Sequence, residues 1–138
     1  MKCAAIVVSA VLLLAACGGG GGSSAEDQIK AAYLGFFSTT GSFPDHEALI
    51  EDGTKPTSPI QATHFVGMSP EDVSVSVSKV TLEGADKAKV IFTVTYRVFK
   101  SEDRTGYAVL QDGKWKVASA TVCELVAIWG SPWPACKS

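Results

Sequence analysis

Cys17 is the side chain with the clearest chemistry. It follows Leu14-Ala15-Ala16, and a thiol beside two small residues can act as the nucleophile of an alkyl transfer while its neighbours enter the narrow subsites of a peptidase. The other candidate groups are weaker. His46-Glu47 begins like the zinc-binding string H-E-x-x-H, but Ile50 stands where the second imidazole is needed, so two histidines cannot share a metal on that face. No metal site and no cofactor are expected; His46 reads as a solvated helix-start residue and His64 as a partly buried one satisfied locally. Ser74, Ser76 and Ser78 alternate with valines without a G-x-S-x-G elbow or a base partner, which is a solvent-facing strand pattern. The carboxylate pairs Glu51/Asp52, Glu71/Asp72 and Glu102/Asp103 fall at turns or helix ends, where solvation explains them better than a shared proton. No catalytic residue is expected.

The element that must present Cys17 is the apolar run from Cys3 to Ala16 behind Lys2. It is long enough for a signal-peptide core but short of the roughly 20 residues that span a bilayer. With Cys17 it resembles the lipobox of bacterial lipoprotein precursors: a branched residue, two small ones, then cysteine. An ordinary secretory signal prefers small residues at both −1 and −3, and Leu14 occupies −3. The resemblance implies cleavage between Ala16 and Cys17, lipid on Cys17, and an extracytoplasmic chain held to the cell membrane. Two or more acyl chains make dissociation slow, because each buried methylene contributes about 0.8 kcal/mol. Residues 18–24, five glycines and two serines, form a tether whose reach is about 5 to 6 Å times the square root of its residue number. They lack the lysine and hydroxyl of a phosphate-cradling loop. The organisation is therefore a leader over 1–16, a lipidated cysteine with its linker over 17–24, and a domain over 25–138.

A chain of 138 residues with net charge −2 has room for one modest core and carries no basic stripe to neutralise phosphates, which excludes nucleic acid as a partner. Ser24 and Asp27 can cap a helix over about 25–37 that places Ile29, Tyr33, Phe36 and Phe37 on one face. Pro44 or Asp45 opens a second short helix with Leu49 and Ile50 inward, ended by Gly53, and a third is expected near 58–66. Ser69-Pro70-Glu71 then turns the chain into a sheet.

Val73, Val75 and Val77 alternate with serines, and Val80 and Leu82 continue after a phase slip that suggests a bulge. A long second strand carries Ala88, Val90, Phe92, Val94, Tyr96 and Val98 on one face, with Ile91 and Phe99 on the other, and Lys100 to Arg104 forms a polar turn. Thr105 to Gln111 and Lys114 to Cys123 flank Asp112-Gly113, which tolerate the positive φ angles of a type I′ hairpin; that register sets Leu110 against Trp115 and Ala108 against Val117. The expected architecture is α+β, with N-terminal helices packed on a curved four-stranded antiparallel sheet. Its hollow would be lined by Tyr33, Phe36, Phe92, Tyr96 and Trp115, a candidate cavity for a small apolar ligand.

Cys123 and Cys136 remain once the leader and Cys17 are set aside, an even number in an exported chain, and a disulfide is the natural assignment. Their separation lacks the C-x-x-C spacing of a redox or metal pair. The bridge would clip the tail onto the last strand and hold Trp129 and Trp133 over the edge of the core.

The segments Gly106 to Leu110 and Asp112 to Val117, followed by Thr121, Cys123 and Leu125, resemble the C-terminal domain of actinobacterial low-molecular-weight secreted antigens and their lipoprotein relatives. The helix Asp27 to Phe37 and the segment Asp45 to Gly53 agree in order, so the likeness covers about residues 25–138. It implies the cone-shaped cystatin-like fold shared with the nuclear transport factor 2-like superfamily, and it carries over no catalytic residue. The lipobox and the cysteine pair depart from the secreted antigens. The expected function is that of a membrane-anchored, non-enzymatic lipoprotein binding an envelope protein or cell-wall component. A carrier of a small apolar molecule is the alternative, and an isomerase-like or hydrolase-like enzyme the third.

Overall fold

The computed structural model describes residues 23–63, 65, 67–100, 103–130 and 133–136. The leader with Ala16, Cys17 and the glycines of the tether lie outside the described residues, as does His64.

Helix α1 (Ala25–Phe36) starts where the Ser24 hydroxyl accepts the Asp27 N–H at 3.1 Å, and Glu26 pairs with Lys30 one turn on at 2.7 Å. Ile29, Tyr33, Phe36 and Phe37 are buried, the stripe that a 3.6-residue period directs into a core. Helix α2 (Phe43–Glu47) opens on a capping box: the Asp45 carboxylate accepts the Ser42 N–H at 2.8 Å and the Ser42 hydroxyl accepts the Asp45 N–H at 3.4 Å. Hydrogen bonds from the Ser42 hydroxyl and then its backbone hold the Asp45 carboxyl below the usual carboxylate range. A depressed folded-state pKa stabilises the fold above the unfolded value, and that stabilisation is lost as pH falls through the folded one. An Asp45→Asn variant should therefore lose less stability than the wild type as pH drops below about 4, read from urea midpoints across acid pH. Equal slopes would show that the box contributes nothing to folding.

Three expectations for the first half need correction. Helix α2 ends at Glu47, and Leu49 and Glu51 turn outward from the helix to bond Val117: its N–H reaches Leu49 O and its carbonyl accepts the Glu51 N–H, both at 2.8 Å. Ile50 thus lies parallel to Val117 and is fully buried from a bridge, not from a helix. The third helix contracts to one 3₁₀ turn, Pro59–Ala62, because Thr63 is already extended at φ −147° and delivers Phe65 to the core. His46 is 2% exposed, not solvated; its Nε2 donates to the Thr40 carbonyl at 3.0 Å, so the preceding turn folds over the ring.

Strands β1 (Val73–Leu82) and β2 (Lys87–Tyr96) pair antiparallel, and their register shifts between Val77 and Lys79, the expected bulge. The sheet order is β1-β2-β4-β5, with β4 at Arg104–Gln111, β5 at Lys114–Val117, and a two-residue β3 (Phe99–Lys100) against the end of β2. Asp112 and Gly113 have φ of 54° and 74°, and Leu110 faces Trp115 and Ala108 faces Val117, as the Asp-Gly turn requires. Ala88, Val90, Phe92 and Val94 form the buried inner row of β2. That row ends early. Arg97 adopts φ 52° and Val98 is 90% exposed, because the chain reverses at these two residues and sends Phe99 back along Tyr96.

The last expected strand is the largest correction. Strand β5 stops at Val117 and helix α3 follows over Ser119–Ile128, burying Thr121, Val122, Leu125 and Val126. Ala118 at the N-cap makes no side-chain cap; the Glu51 carboxylate accepts the Ser119 N–H at 3.1 Å in its place, and the Ser119 hydroxyl donates to the Glu51 carbonyl at 2.6 Å. A negative group at that end complements the helix dipole. Gly130 at φ 80° terminates the helix in the conformation only glycine adopts freely. Cys123 and Cys136 are disulfide-bonded, so the bridge clips the terminal 3₁₀ turn (Pro134–Cys136) onto α3 and not onto a strand. The fold is α+β, helices on a curved antiparallel sheet; no described helix is long and apolar enough to cross a membrane.

Candidate functional site

The hollow of the sheet is where sequence reasoning places a ligand, and three of its five named residues meet there. Tyr33 and Phe36 on α1 and Phe92 on β2 are each buried to within 1%. The Tyr33 and Phe92 ring centroids are 5.1 Å apart, and Phe36 packs edge-on to Phe37 at 5.1 Å and to Phe65 at 5.8 Å. These are contact distances for filled aromatic cores. Tyr96 lies further along β2, stacked on Trp129 at 4.5 Å and edge-on to Phe65 at 6.0 Å. Trp115 is on β5, near the opposite hairpin. Tyr96 and Trp115 are therefore at different ends of the sheet and do not share one lining.

The Tyr33 hydroxyl is committed to structure. It donates to the Tyr107 carbonyl at 2.8 Å, and burial pushes its pKa well above that of a free phenol, so it holds its proton at any physiological pH. The same carbonyl accepts the Ala118 N–H at 3.0 Å, and the Tyr107 N–H goes to the Thr121 hydroxyl at 2.8 Å. Where β5 ends, side chains of α1 and α3 thus complete the hydrogen bonding of β4. Gly106 makes this closure fit: a Cβ there would lie 2.7 Å from the Tyr33 hydroxyl and 2.8 Å from the Phe92 ring. An isolated glycine in a strand pattern signals such a close approach, and that signal was present in the sequence.

Three of the carboxylates in those pairs are also occupied, and Glu102 lies outside the described residues. Besides Glu51 on α3, Asp52 accepts from the Gln111 amide at 2.9 Å and from Lys55 at 3.1 Å, while Gln111 accepts the Asp52 N–H at 3.0 Å. The Gln111 hydrogen bond, then Lys55, holds the Asp52 carboxyl below the usual range. Asp103 accepts from Thr93 at 3.0 Å. Among the described residues no three His, Cys, Asp or Glu side chains are grouped to hold a metal ion. A shallow hollow lined by Glu51, Asp86, Lys87, Val109, Leu110 and Gln111 has both charge signs and opens to solvent beside the β4–β5 hairpin. Sequence reasoning missed the part played by Glu51, because its partner lies 68 residues away.

A family model described as the low molecular weight antigen MTB12, C-terminal domain, matches residues 23–132. No curated protein matches the chain.

Proposed function

We propose that this chain, which belongs to the family of the low molecular weight antigen MTB12 C-terminal domain, is a non-enzymatic envelope lipoprotein that holds its domain outside the cell membrane to bind an envelope protein or cell-wall component. The observation that carries the reading is Leu14-Ala15-Ala16-Cys17 followed at once by a glycine tether and then by a domain of an antigen family. The Cys123–Cys136 bridge supports an oxidising compartment. The structural employment of Tyr33, Glu51, Asp52 and His46 supports a role without catalysis, and the mutual ring contacts in the hollow favour a surface partner over a carried apolar ligand.

Changing Cys17 to Ser tests the anchor. The wild-type chain should fractionate with membranes through high-salt washing and yield a mature mass that starts at Cys17 with added acyl chains, whereas the variant should be released to the soluble fraction. Equal sedimentation of the two proteins would overturn the lipid anchor. Native mass spectrometry that retains an apolar adduct on the released variant would reverse the order of the two binding readings.

A further inference from the structure

The outer face of the sheet gathers cations that the sequence disperses. The register aligns three adjacent rows: Lys87 with Val109 and Lys116, Lys89 with Thr81 and Tyr107, and Ile91 with Lys79 and Thr105. These positions alternate with the buried inner row, so their side chains share the solvent face. Lys79, Lys87 and Lys89 are exposed and make no ion pair among the described residues, where the ion pairs are Lys30–Glu26 and Lys55–Asp52. No acidic residue occupies the three rows; Glu51 and Asp86 border them at the hairpin end, Asp52 lies near Lys116, and Asp103 and Glu124 flank Thr105 at the other end. In a chain of net charge −2, four lysines within about 13 Å along β2 are a local concentration that composition does not show.

Seven residues, 18–24, separate Cys17 from Ala25, the first residue of helix α1, so on the lipid-anchor reading the domain stays within about 30 Å of the membrane surface.

We propose that this lysine face docks on the anionic phospholipid headgroups of the membrane to which Cys17 is tethered. The inference rests on the lipid-anchor reading for its geometry. Lysines near an anionic bilayer are attracted within a Debye length, and Tyr107, 40% exposed at the centre of the patch, has the amphipathic ring suited to the headgroup level.

The test uses the mature chain with Cys17→Ser, so that acyl chains cannot mask the face, and vesicles of phosphatidylcholine alone or with about one-third phosphatidylglycerol. Co-sedimentation should require the anionic lipid and vanish in about 1 M salt, where the screening length is roughly 3 Å. The triple variant Lys79→Gln, Lys87→Gln, Lys89→Gln should bind at least about tenfold more weakly, with an unchanged circular dichroism spectrum, whereas Lys30→Gln with Lys55→Gln should bind as before. Equal binding by the triple variant, no preference for phosphatidylglycerol, or binding only to isolated cell-wall polymer would each overturn the proposal. Because the anchor is read separately, by fractionation of the Cys17→Ser variant in cells, failure of one is distinguishable from failure of the other.

Discussion

Replacing Phe65 by alanine is expected to lower the free energy of unfolding by about 3 to 5 kcal/mol, a large part of the roughly 5 to 15 kcal/mol available to a domain of this size. Phe65 is fully buried and sits on the loop between the 3₁₀ turn and β1. Its ring meets Phe36 and Phe37 of the α1 segment, Tyr96 at the end of β2 and Trp129 beyond α3, at centroid distances of 5.3 to 6.1 Å. Truncation would remove contacts from three elements at once, and the surrounding rings are too rigid to collapse into the space. Leu110→Ala is the control, since that side chain is already 37% exposed and should cost less than about 1.5 kcal/mol. Urea unfolding followed by tryptophan fluorescence measures both. A loss at Phe65 no greater than that at Leu110 would mean that the ring cluster does not hold the domain together.

The paired change Cys123→Ala and Cys136→Ala is expected to cost about 3 kcal/mol, the chain-entropy value for closing a loop of about 15 residues. The two positions are 13 residues apart in sequence. Their bridge fixes the tail that carries Trp133, whose indole N–H donates to the Thr57 carbonyl at 2.9 Å, so one covalent bond orders two segments. Wild-type protein in reductant should unfold at the same denaturant concentration as the double variant. If reduction leaves the wild-type midpoint unmoved, the bridge does not restrain the unfolded chain.

The sequence is most legible where structure is decided by neighbours along the chain. Ser24 with Asp27, the spacing of Ile29, Tyr33 and Phe36, the Asp112-Gly113 turn and the phase slip after Val77 each carry their own physical cause within a few residues. Helix α3 does not. Its β-branched Thr121, Val122, Val126 and Ile128 favour strands in isolation, Ala118 offers no cap, and the acceptor that replaces it comes from Glu51 across the fold. The helical repeat Val122, Leu125, Val126, Trp129 and the following Gly130 were there to be read, but β-propensity outweighed them. His46 failed for a related reason: its burial depends on the turn through Thr40, which no periodic pattern announces. The lysine face was hidden because Lys79, Lys87, Lys89 and Lys116 come from three strands, and only their register brings them together.

The pairing of residues 49–51 with Val117 has a consequence for self-association. An open sheet margin is a template onto which a foreign strand, or a second molecule, can be stitched through its backbone. On the β5 side that template is covered by the protein's own chain for part of its length, and Thr121 and Tyr33 take up polar groups of β4 beyond the end of β5. The opposite margin, β1, is kinked by its extra residue and carries Lys79 at the kink, two devices that discourage stacking. Both borders of this sheet are thus shaped to keep encounters between copies from propagating into fibrils.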